Sequence, residues 1–302
     1  MSIVNLPRIV LLDGGMGREL RSRGVPISNA LWSANALLVA PEVVRQIHLD
    51  YIFAGANIIT TNTYGLIRAN LAKEGIEDRF ALLNRLACTL ASDARERTGR
   101  AVSIAGSLPP LRGSYRPDLV GKFEEIYPLY REQAELLAPH VDLLLCETMS
   151  SAAEAKAAAR AACQTGKPTW VSWTLHEDRS GNLRSEESIA EAFEAIADLP
   201  ISGVLANCCP PESITQAMPA LAETGIKYVG GYANTAQPIP RDLDPDESKR
   251  AVGPFQLRWD LEPENYAGHA ATWLEKGATV VGGCCGTGPG HIAELRHLLD
   301  RR

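Results

Sequence analysis

Two pairs of adjacent cysteines are the residues of this sequence best suited to chemistry. Cys208 and Cys209 end the run SGVLANCC, and Cys284 and Cys285 lie in VVGGCCGTGPGHI near the end of the chain. Thiolates bind zinc, and three protein thiolates leave the fourth tetrahedral position open to a reactant. Thiols at two distant points of the chain therefore predict a zinc site, if the fold brings both runs together. Burial as small apolar side chains is the alternative.

The elements that would position these thiols alternate regularly along the chain. Short apolar runs are followed by longer amphipathic segments, which gives eight predicted strand–helix pairs. The strands are apolar throughout, as parallel strands buried on both faces are. Eight such units in 302 residues predict a (β/α)8 TIM barrel, formed as a single domain over residues 1–302. The rival is an open doubly wound sheet, but DGGMG does not fit the phosphate motif expected after its first strand.

In a barrel of this kind the active site lies at the carboxyl ends of the strands. Polar and thiol side chains occur at the predicted strand ends, namely Asp13, Glu147, Cys208, Asn234, Cys284 and Cys285. A carboxylate at a buried strand end needs a partner, which favours a functional role for Glu147. Asp13 has an alternative role as a cap of the following helix. Gly282, Gly283 and Gly286 are predicted to supply the unusual backbone angles that aim both thiols at one ion.

The other cysteines are predicted to pack rather than to bind metal. Cys88 and Cys163 lie on predicted helices, and Cys146 precedes Glu147 on a strand. Adjacent strand residues point to opposite faces, so only one of Cys208 and Cys209 is expected to reach an ion.

Composition narrows the functional class. The net charge is −6 and no basic stretch occurs, so no nucleic-acid partner is expected. No apolar run approaches the ~20 residues that cross a bilayer, so no membrane partner is expected. Seven cysteines without a signal peptide predict a reducing, cytoplasmic setting. The longest predicted irregular segment, 235–260, is expected to cover the active site or to mediate assembly.

Five motifs along nearly the whole chain resemble the homocysteine S-methyltransferase family: DGGMGREL, TNTYG, CET, NCCPPE and GGCCGTGPGHI. The resemblance implies a zinc-dependent (β/α)8 barrel with Cys208, Cys284 and Cys285 as the zinc ligands. The run LANC departs slightly from the family's G-V-N-C pattern but keeps the ligand cysteine.

The same resemblance implies how homocysteine would bind. Asp13 and Glu147 match the acidic residues that bind its amino group. Backbone N–H groups near Gly14 and Gly15 are expected to take its carboxylate, because glycine-rich turns at helix starts favour anions. Asn234 is expected near the open side of the metal.

The expected reaction transfers a methyl group from a sulfonium donor to homocysteine and gives methionine, with no catalytic residue beyond the metal centre. The chain ends soon after its last predicted helix, without the long extension expected in betaine-using relatives and without a cobalamin or folate domain, which favours a small sulfonium donor. The lack of a visible adenosine-binding motif then favours S-methylmethionine over S-adenosylmethionine. Aromatic rings could attract such a cation. The candidates are Trp32, Tyr64, Tyr115 and Trp173, although ordinary packing explains each of them as well.

Two other functions stay open from the residues alone. A zinc hydrolase would place water at the fourth position, but such sites usually use His and carboxylates, and only His176 follows a predicted strand end. A thiol-rich metal-binding or redox protein would exchange disulfides within each cysteine pair and would not need Asp13 or Glu147. The sequence does not determine the oligomeric state, the stereochemical preference or the use of selenium analogues.

Overall fold

Eight parallel strands form one sheet in the computed structural model, which describes residues 6–237 and 256–302. Neighbouring strands follow the order β1-β8-β7-β6-β5-β4-β3-β2. The strands are β1 (Val10–Leu11), β2 (Ile58–Thr60), β3 (Ser103–Leu108), β4 (Leu143–Met149), β5 (Thr169–Trp173), β6 (Ile201–Asn207), β7 (Tyr228–Ala233) and β8 (Val280–Gly283).

The first and second strands close this sheet into a barrel. Leu12 forms a parallel bridge with Ile58. Asn57 donates its backbone N–H to the Leu11 carbonyl at 2.7 Å, and Asp13 donates to the Ile58 carbonyl at 3.0 Å. The predicted (β/α)8 TIM barrel is therefore confirmed.

Helices follow the strands and cover the outside of the barrel. Those in the described part are α1 (Met16–Ser22), α2 (Ala36–Val39), α3 (Pro41–Phe53), α4 (Arg68–Lys73), α5 (Phe80–Thr98), α6 (Phe123–Leu137), α7 (Ala152–Gln164), α8 (Ile189–Glu194), α9 (Pro211–Glu223), α10 (Pro263–Glu275) and α11 (Pro289–Asp300). The predicted cap at Ser188 is confirmed, since Ser188 and Glu191 form a capping box at the start of α8. The short helices α2 and α4 lie outside the eight predicted strand–helix pairs.

Side chains of each strand alternate between two cores. Inside the barrel, Val10, Leu145, Trp170, Leu205 and Val280 belong to one buried apolar cluster. Their strand neighbours, such as Leu11, Leu144 and Val171, pack outward against the helices in a second cluster. Both faces of each strand are thus apolar, which explains why the strand sequences show no polar alternation.

The long irregular segment predicted at 235–260 lies mostly outside the described residues. Its two described ends pair with each other: Gln237 donates to the Gln256 carbonyl and Arg258 donates to the Thr235 carbonyl, each at 2.8 Å. Whether the segment covers the site stays a prediction. Among the described helices, none combines the length and the apolar character that a bilayer crossing requires.

Candidate metal and substrate site

Three cysteines from two strand ends meet at the carboxyl rim of the barrel. The Sγ atoms of Cys208, Cys284 and Cys285 all lie within 4.8 Å of one another, and those of Cys208 and Cys285 are 3.5 Å apart. Sulfurs about 2.3 Å from one tetrahedral zinc would be about 3.8 Å from each other. Within residues 6–237 and 256–302, no other group of three His, Cys, Asp or Glu side chains is arranged to hold a metal. The cluster therefore fits a zinc ion.

A left-handed turn decides which cysteine of the first pair joins the cluster. Leu205 and Asn207 point into the barrel, so strict alternation would send Cys208 outward and Cys209 inward. However, β6 ends at Asn207 and Cys208 has φ 51°, which breaks the alternation. Cys208 joins the cluster, and Cys209 packs in the outer core with the helices. As predicted, only one of the two cysteines reaches the cluster.

The glycines around the second pair serve two different purposes. Gly286 has φ 84°, the left-handed conformation that was predicted. The same prediction is wrong for Gly282 and Gly283, which lie in β8 and do not have positive φ. They are needed for space instead, because a Cβ on Gly283 would lie 2.2 Å from Thr287 Oγ1. The Thr287 hydroxyl donates in turn to the Cys284 carbonyl at 2.7 Å.

A layer of polar side chains lies inside the barrel between the apolar core and the cysteines. Asn207 is its centre: its Oδ1 accepts hydrogen bonds from the Thr148 N–H at 2.8 Å and the Ser172 hydroxyl at 2.7 Å. Its Nδ2 donates to the Thr148 hydroxyl at 2.8 Å and approaches Cys284 Sγ at 4.0 Å. Thr148, with φ 62°, is held in a left-handed conformation by these contacts.

Glu147 is buried in the same layer. Its carboxylate accepts hydrogen bonds from the Ser107 hydroxyl and, at 3.2 Å, from the Tyr232 hydroxyl. Burial raises its pKa to about 7 despite these donors, and the nearby Cys208 adds to the rise. The predicted strand end at Glu147 is wrong by two residues, because β4 continues to Met149 through a register shift after Cys146.

Asp13 lies on the rim beside β2. Its two carboxylate oxygens accept the Thr60 N–H at 2.7 Å and the Thr60 hydroxyl at 3.0 Å. Burial raises its pKa to about 7, and the charge of Glu147 contributes to the rise, so the two carboxylates interact. The capping alternative for Asp13 is wrong: the N-cap of α1 is Gly15, and no side chain caps it.

The remaining predicted substrate residues border the cysteine loops. Gly15 donates its N–H to the Thr287 carbonyl at 3.2 Å, and a Cβ on Gly14 would lie 2.9 Å from the Tyr51 hydroxyl. Asn234 is buried just after β7, where its N–H donates to the Cys209 carbonyl at 3.1 Å and its Oδ1 accepts from Ala236 at 3.3 Å. Their predicted roles with substrate stay predictions.

The four aromatic residues considered for attracting a cationic donor lie partly in the core and partly at the rim. Trp173 is fully buried in the outer core, so packing explains it. Arg21 lies over the ring of Trp32 at 5.4 Å. Tyr64 pairs its hydroxyl with Ser114 at 2.7 Å, whereas the Tyr115 hydroxyl lies 2.9 Å from Cys208 Sγ. Burial raises the pKa of Tyr115 well above its usual value, so the phenol keeps its proton.

The thiols of the cluster are not equivalent. Hydrogen bonds from Cys284 and Cys285 lower the pKa of Cys208 well below its usual value, which makes Cys208 the first to become a thiolate. By contrast, burial raises the pKa of Cys209 to about 12, so that thiol stays protonated and inert.

Several residues of the site carried no motif and were missed. They are Thr60, Ser107, Ser172 and Tyr232, which hold the carboxylates and Asn207. The strand pattern could have identified two of them. Ser107 lies two residues after Ala105 and Ser172 lies two residues after Trp170, and both of these apolar side chains point into the barrel. A polar residue at such a position near a strand end points into the barrel.

Comparison with known proteins places this arrangement in a family. The sequence profile described as homocysteine S-methyltransferase matches residues 10–299. The chain belongs to the homocysteine S-methyltransferase family. It is 30% identical to the homocysteine S-methyltransferase of Escherichia coli strain K12, over 95% of this chain and 94% of the relative. It is 29% identical to the Bacillus subtilis homocysteine S-methyltransferase YbgG, over 95% and 93%.

Solved structures agree with this family assignment. The metallated form of the E. coli homocysteine methyltransferase MmuM superposes with a TM-score of 0.81 at 29% identity and covers 96% of both chains. The oxidised form of MmuM gives 0.82 at 28% identity and covers 98% of both. Membership confirms the resemblance read from the five motifs, and this homocysteine S-methyltransferase homologue is therefore an enzyme.

The hydrolase alternative finds no support in the site of this family member. His176 lies near Asp178 and Glu186, at 3.5 and 3.8 Å, and is not part of the cysteine cluster. The redox alternative required disulfide exchange within each adjacent pair, but Cys209 is packed in the outer core away from the cluster.

Proposed function

We propose that this enzyme transfers a methyl group from a sulfonium donor to the thiolate of homocysteine and forms methionine. The observation that carries the proposal is the convergence of Cys208, Cys284 and Cys285 within 4.8 Å on a rim that also holds two buried carboxylates. Family membership supports homocysteine as the methyl acceptor. The residues 1–302 are proposed to act as one homocysteine-binding domain, and cytoplasmic localisation stays a prediction from the free thiols.

The three cysteines would hold a zinc ion through thiolate sulfurs. An all-sulfur donor set suits zinc, and three ligands leave one tetrahedral position for a substrate. When bound, the ion would act as a Lewis acid that keeps the thiol of homocysteine deprotonated at neutral pH. All three thiols must lose their protons to bind the ion: the pKa of Cys208 is lowered by its hydrogen bonds with the other two, whereas those of Cys284 and Cys285 are raised chiefly by Cys208, so the charge of the ion would have to displace their protons.

The carboxylates would bind and orient the amino acid part of homocysteine. Asp13 and Glu147 are both buried and repel each other, so a cationic amino group between them would relieve the cost of ionising both. The backbone N–H groups near Gly14 and Gly15 are proposed for the substrate carboxylate, which would take the Gly15 N–H from its 3.2 Å contact with the Thr287 carbonyl. Asn234 is proposed for the open side of the site. Thr60, Ser107 and Tyr232 keep the two carboxylates in place.

A sulfonium donor suits this site on grounds of charge. Attack of a thiolate on a cationic methyl donor cancels opposite charges in the transition state, so a pocket that excludes water favours the reaction. The acidic and thiol-rich rim attracts a cation. S-Methylmethionine is the first donor proposed, and S-adenosylmethionine is the second.

Stoichiometry distinguishes these donors in one assay. The purified enzyme is incubated with homocysteine and each donor under reducing conditions. The amount of methionine formed is then divided by the amount of homocysteine consumed. S-Methylmethionine must give two methionines per homocysteine, because the demethylated donor is itself methionine, whereas S-adenosylmethionine gives one together with S-adenosylhomocysteine. If neither donor gives methionine with protein that retains its metal, the sulfonium proposal is overturned.

A further inference from the structure

Tyr115 is a bulky residue in a conformation that its surroundings must maintain. It lies in the loop after β3 with φ 65°, a left-handed angle that side chains other than glycine rarely adopt. The hydroxyl reaches across the rim to lie 2.9 Å from the sulfur of Cys208. A strained residue that contacts a functional group points to a role in the site.

An ion pair from a different loop fixes the ring of Tyr115. The guanidinium carbon of Arg184 lies 4.5 Å from the ring centroid, on its face. Arg184 also forms an ion pair with Glu177 at 2.8 Å, and the two side chains are only 13% and 12% exposed. The chain Glu177–Arg184–Tyr115 thus connects the loop after β5 to the cysteine cluster and restrains the phenol.

The direction of the hydrogen bond follows from the state of the sulfur. A metal ligand sulfur is a thiolate and has no proton to give, so the Tyr115 phenol must be the donor. A hydrogen bond to an ionised acceptor is stronger than one between neutral groups. Donors of this kind withdraw charge from a ligand sulfur and change how strongly it donates to the metal.

We propose that Tyr115 is a positioning residue that donates a hydrogen bond to the Cys208 sulfur and thereby orients that ligand and tunes its donation to the metal. This inference rests on the metal site of the proposed function. Arg184 and Glu177 act behind Tyr115 by holding its ring over the rim.

Cobalt(II) substitution tests the hydrogen bond without relying on turnover. The enzyme and its Tyr115→Phe variant are stripped of metal, loaded with cobalt(II) and examined by absorption spectroscopy. Loss of the donor leaves the Cys208 sulfur more electron-rich, so the thiolate-to-cobalt charge-transfer band should move to longer wavelength. Competition with a chelator should show zinc affinity about 10- to 100-fold lower, because the lost orientation of the Cys208 ligand is expected to outweigh its stronger donation.

Tyr130→Phe is the matched control because it removes a buried phenol hydroxyl that contacts Met149 and not the cysteine cluster. The control should keep the charge-transfer band of the unaltered enzyme. An unmoved band in Tyr115→Phe, or an equal shift in both variants, would overturn the proposal. If the unaltered enzyme binds neither cobalt nor zinc, the metal assignment itself fails and this inference fails with it. Arg184→Gln provides a second variant, expected to give a smaller shift in the same direction.

Discussion

The sulfur atoms of Cys208 and Cys285 lie 3.5 Å apart, although the two cysteines are 77 positions apart in the sequence. β7 lies between their strands in the sheet, so the contact spans three neighbouring strand ends. An ion held there would link the end of β6 to the loop after β8.

Replacement of one cysteine should separate metal binding from packing. Cys284→Ser is expected to lower the zinc content from about one ion per chain to near zero and to abolish methyl transfer, because two thiolates do not complete the site. Metal analysis of protein purified under reducing conditions measures the first effect. Cys209→Ala is the control: it removes a thiol next to Cys208 but outside the cluster and should retain zinc. Zinc retained by Cys284→Ser would contradict the ligand assignment.

Asn207 is expected to stabilise the fold as well as the site. Asn207→Ala leaves the Thr148 N–H and the hydroxyls of Thr148 and Ser172 without their shared partner. Each buried polar group left unsatisfied costs about 1–3 kcal/mol, so the free energy of unfolding should fall by at least that amount. Urea denaturation measures the change. Ser202→Ala, which removes a longer bond of 3.3 Å at the other end of β6, should cost less than about 1 kcal/mol. Equal losses would argue against a central role for Asn207.

The buried carboxylates should make homocysteine binding dependent on pH. Burial raises the pKa of Asp13 and of Glu147 to about 7, and an ionised carboxylate binds the substrate amino group better. KM for homocysteine should therefore fall as the pH rises from 6 to 8. Glu147→Gln should raise KM about 10- to 100-fold, the range for a lost charged hydrogen bond. A KM that does not change with pH or with this substitution would remove Glu147 from substrate binding.

The raised pKa of Glu147 predicts that higher pH lowers the stability of the protein, although it improves homocysteine binding. The pKa of Glu147 is higher in the folded than in the unfolded protein, so folding favours its protonated form. The resulting contribution to stability is present at acid pH and is lost as the pH rises through about 7. Glu147→Gln should therefore raise the Tm at pH 8 more than at pH 5, although the same variant is expected to bind homocysteine more weakly. Thermal denaturation at both pH values measures this, and a lower Tm at pH 8 would contradict it.

His48 should be a source of acid sensitivity. It is fully buried in α3, neither ring nitrogen has a hydrogen-bond partner within the described residues, and burial lowers its pKa to about 4. Because the folded pKa is lower than the unfolded one, its neutral form is favoured by folding and stability falls as the pH drops from about 6.5 towards 4. His48→Leu should flatten this dependence and add about 1–3 kcal/mol at pH 7 by removing unsatisfied nitrogens.

The free energies of unfolding of the unaltered protein and of His48→Leu are compared by denaturation at pH 4.5 and pH 7. His297→Gln serves as the control because the His297 side chain is 66% exposed. The stability of this variant should change with pH as that of the unaltered protein does. A His48→Leu variant as sensitive to acid as the unaltered enzyme would show that another group causes the loss.

The sequence by itself determined the barrel and named the candidate residues at its rim. Apolar runs such as VDLLLCETM and ATVVGGCC are too apolar for strands with a solvent face, and their regular alternation with helices leaves a parallel barrel as the consistent solution. The motifs identified the family and singled out Cys208, Cys284 and Cys285 as the candidate ligands. Strand period and turn chemistry depend on neighbouring residues, so they can be recognised in the sequence alone.

Only the tertiary structure decided which side chains meet. The φ of 51° at Cys208 turns the thiol that alternation would point outward toward Cys285, and no local pattern predicts that angle for a cysteine. The contacts of Glu147 with Ser107 and Tyr232, and of Tyr115 with Cys208, join residues 40 to 93 positions apart. Such distances depend on the register and closure of the whole barrel, which is why the residue types could be read from the chain but their geometry could not.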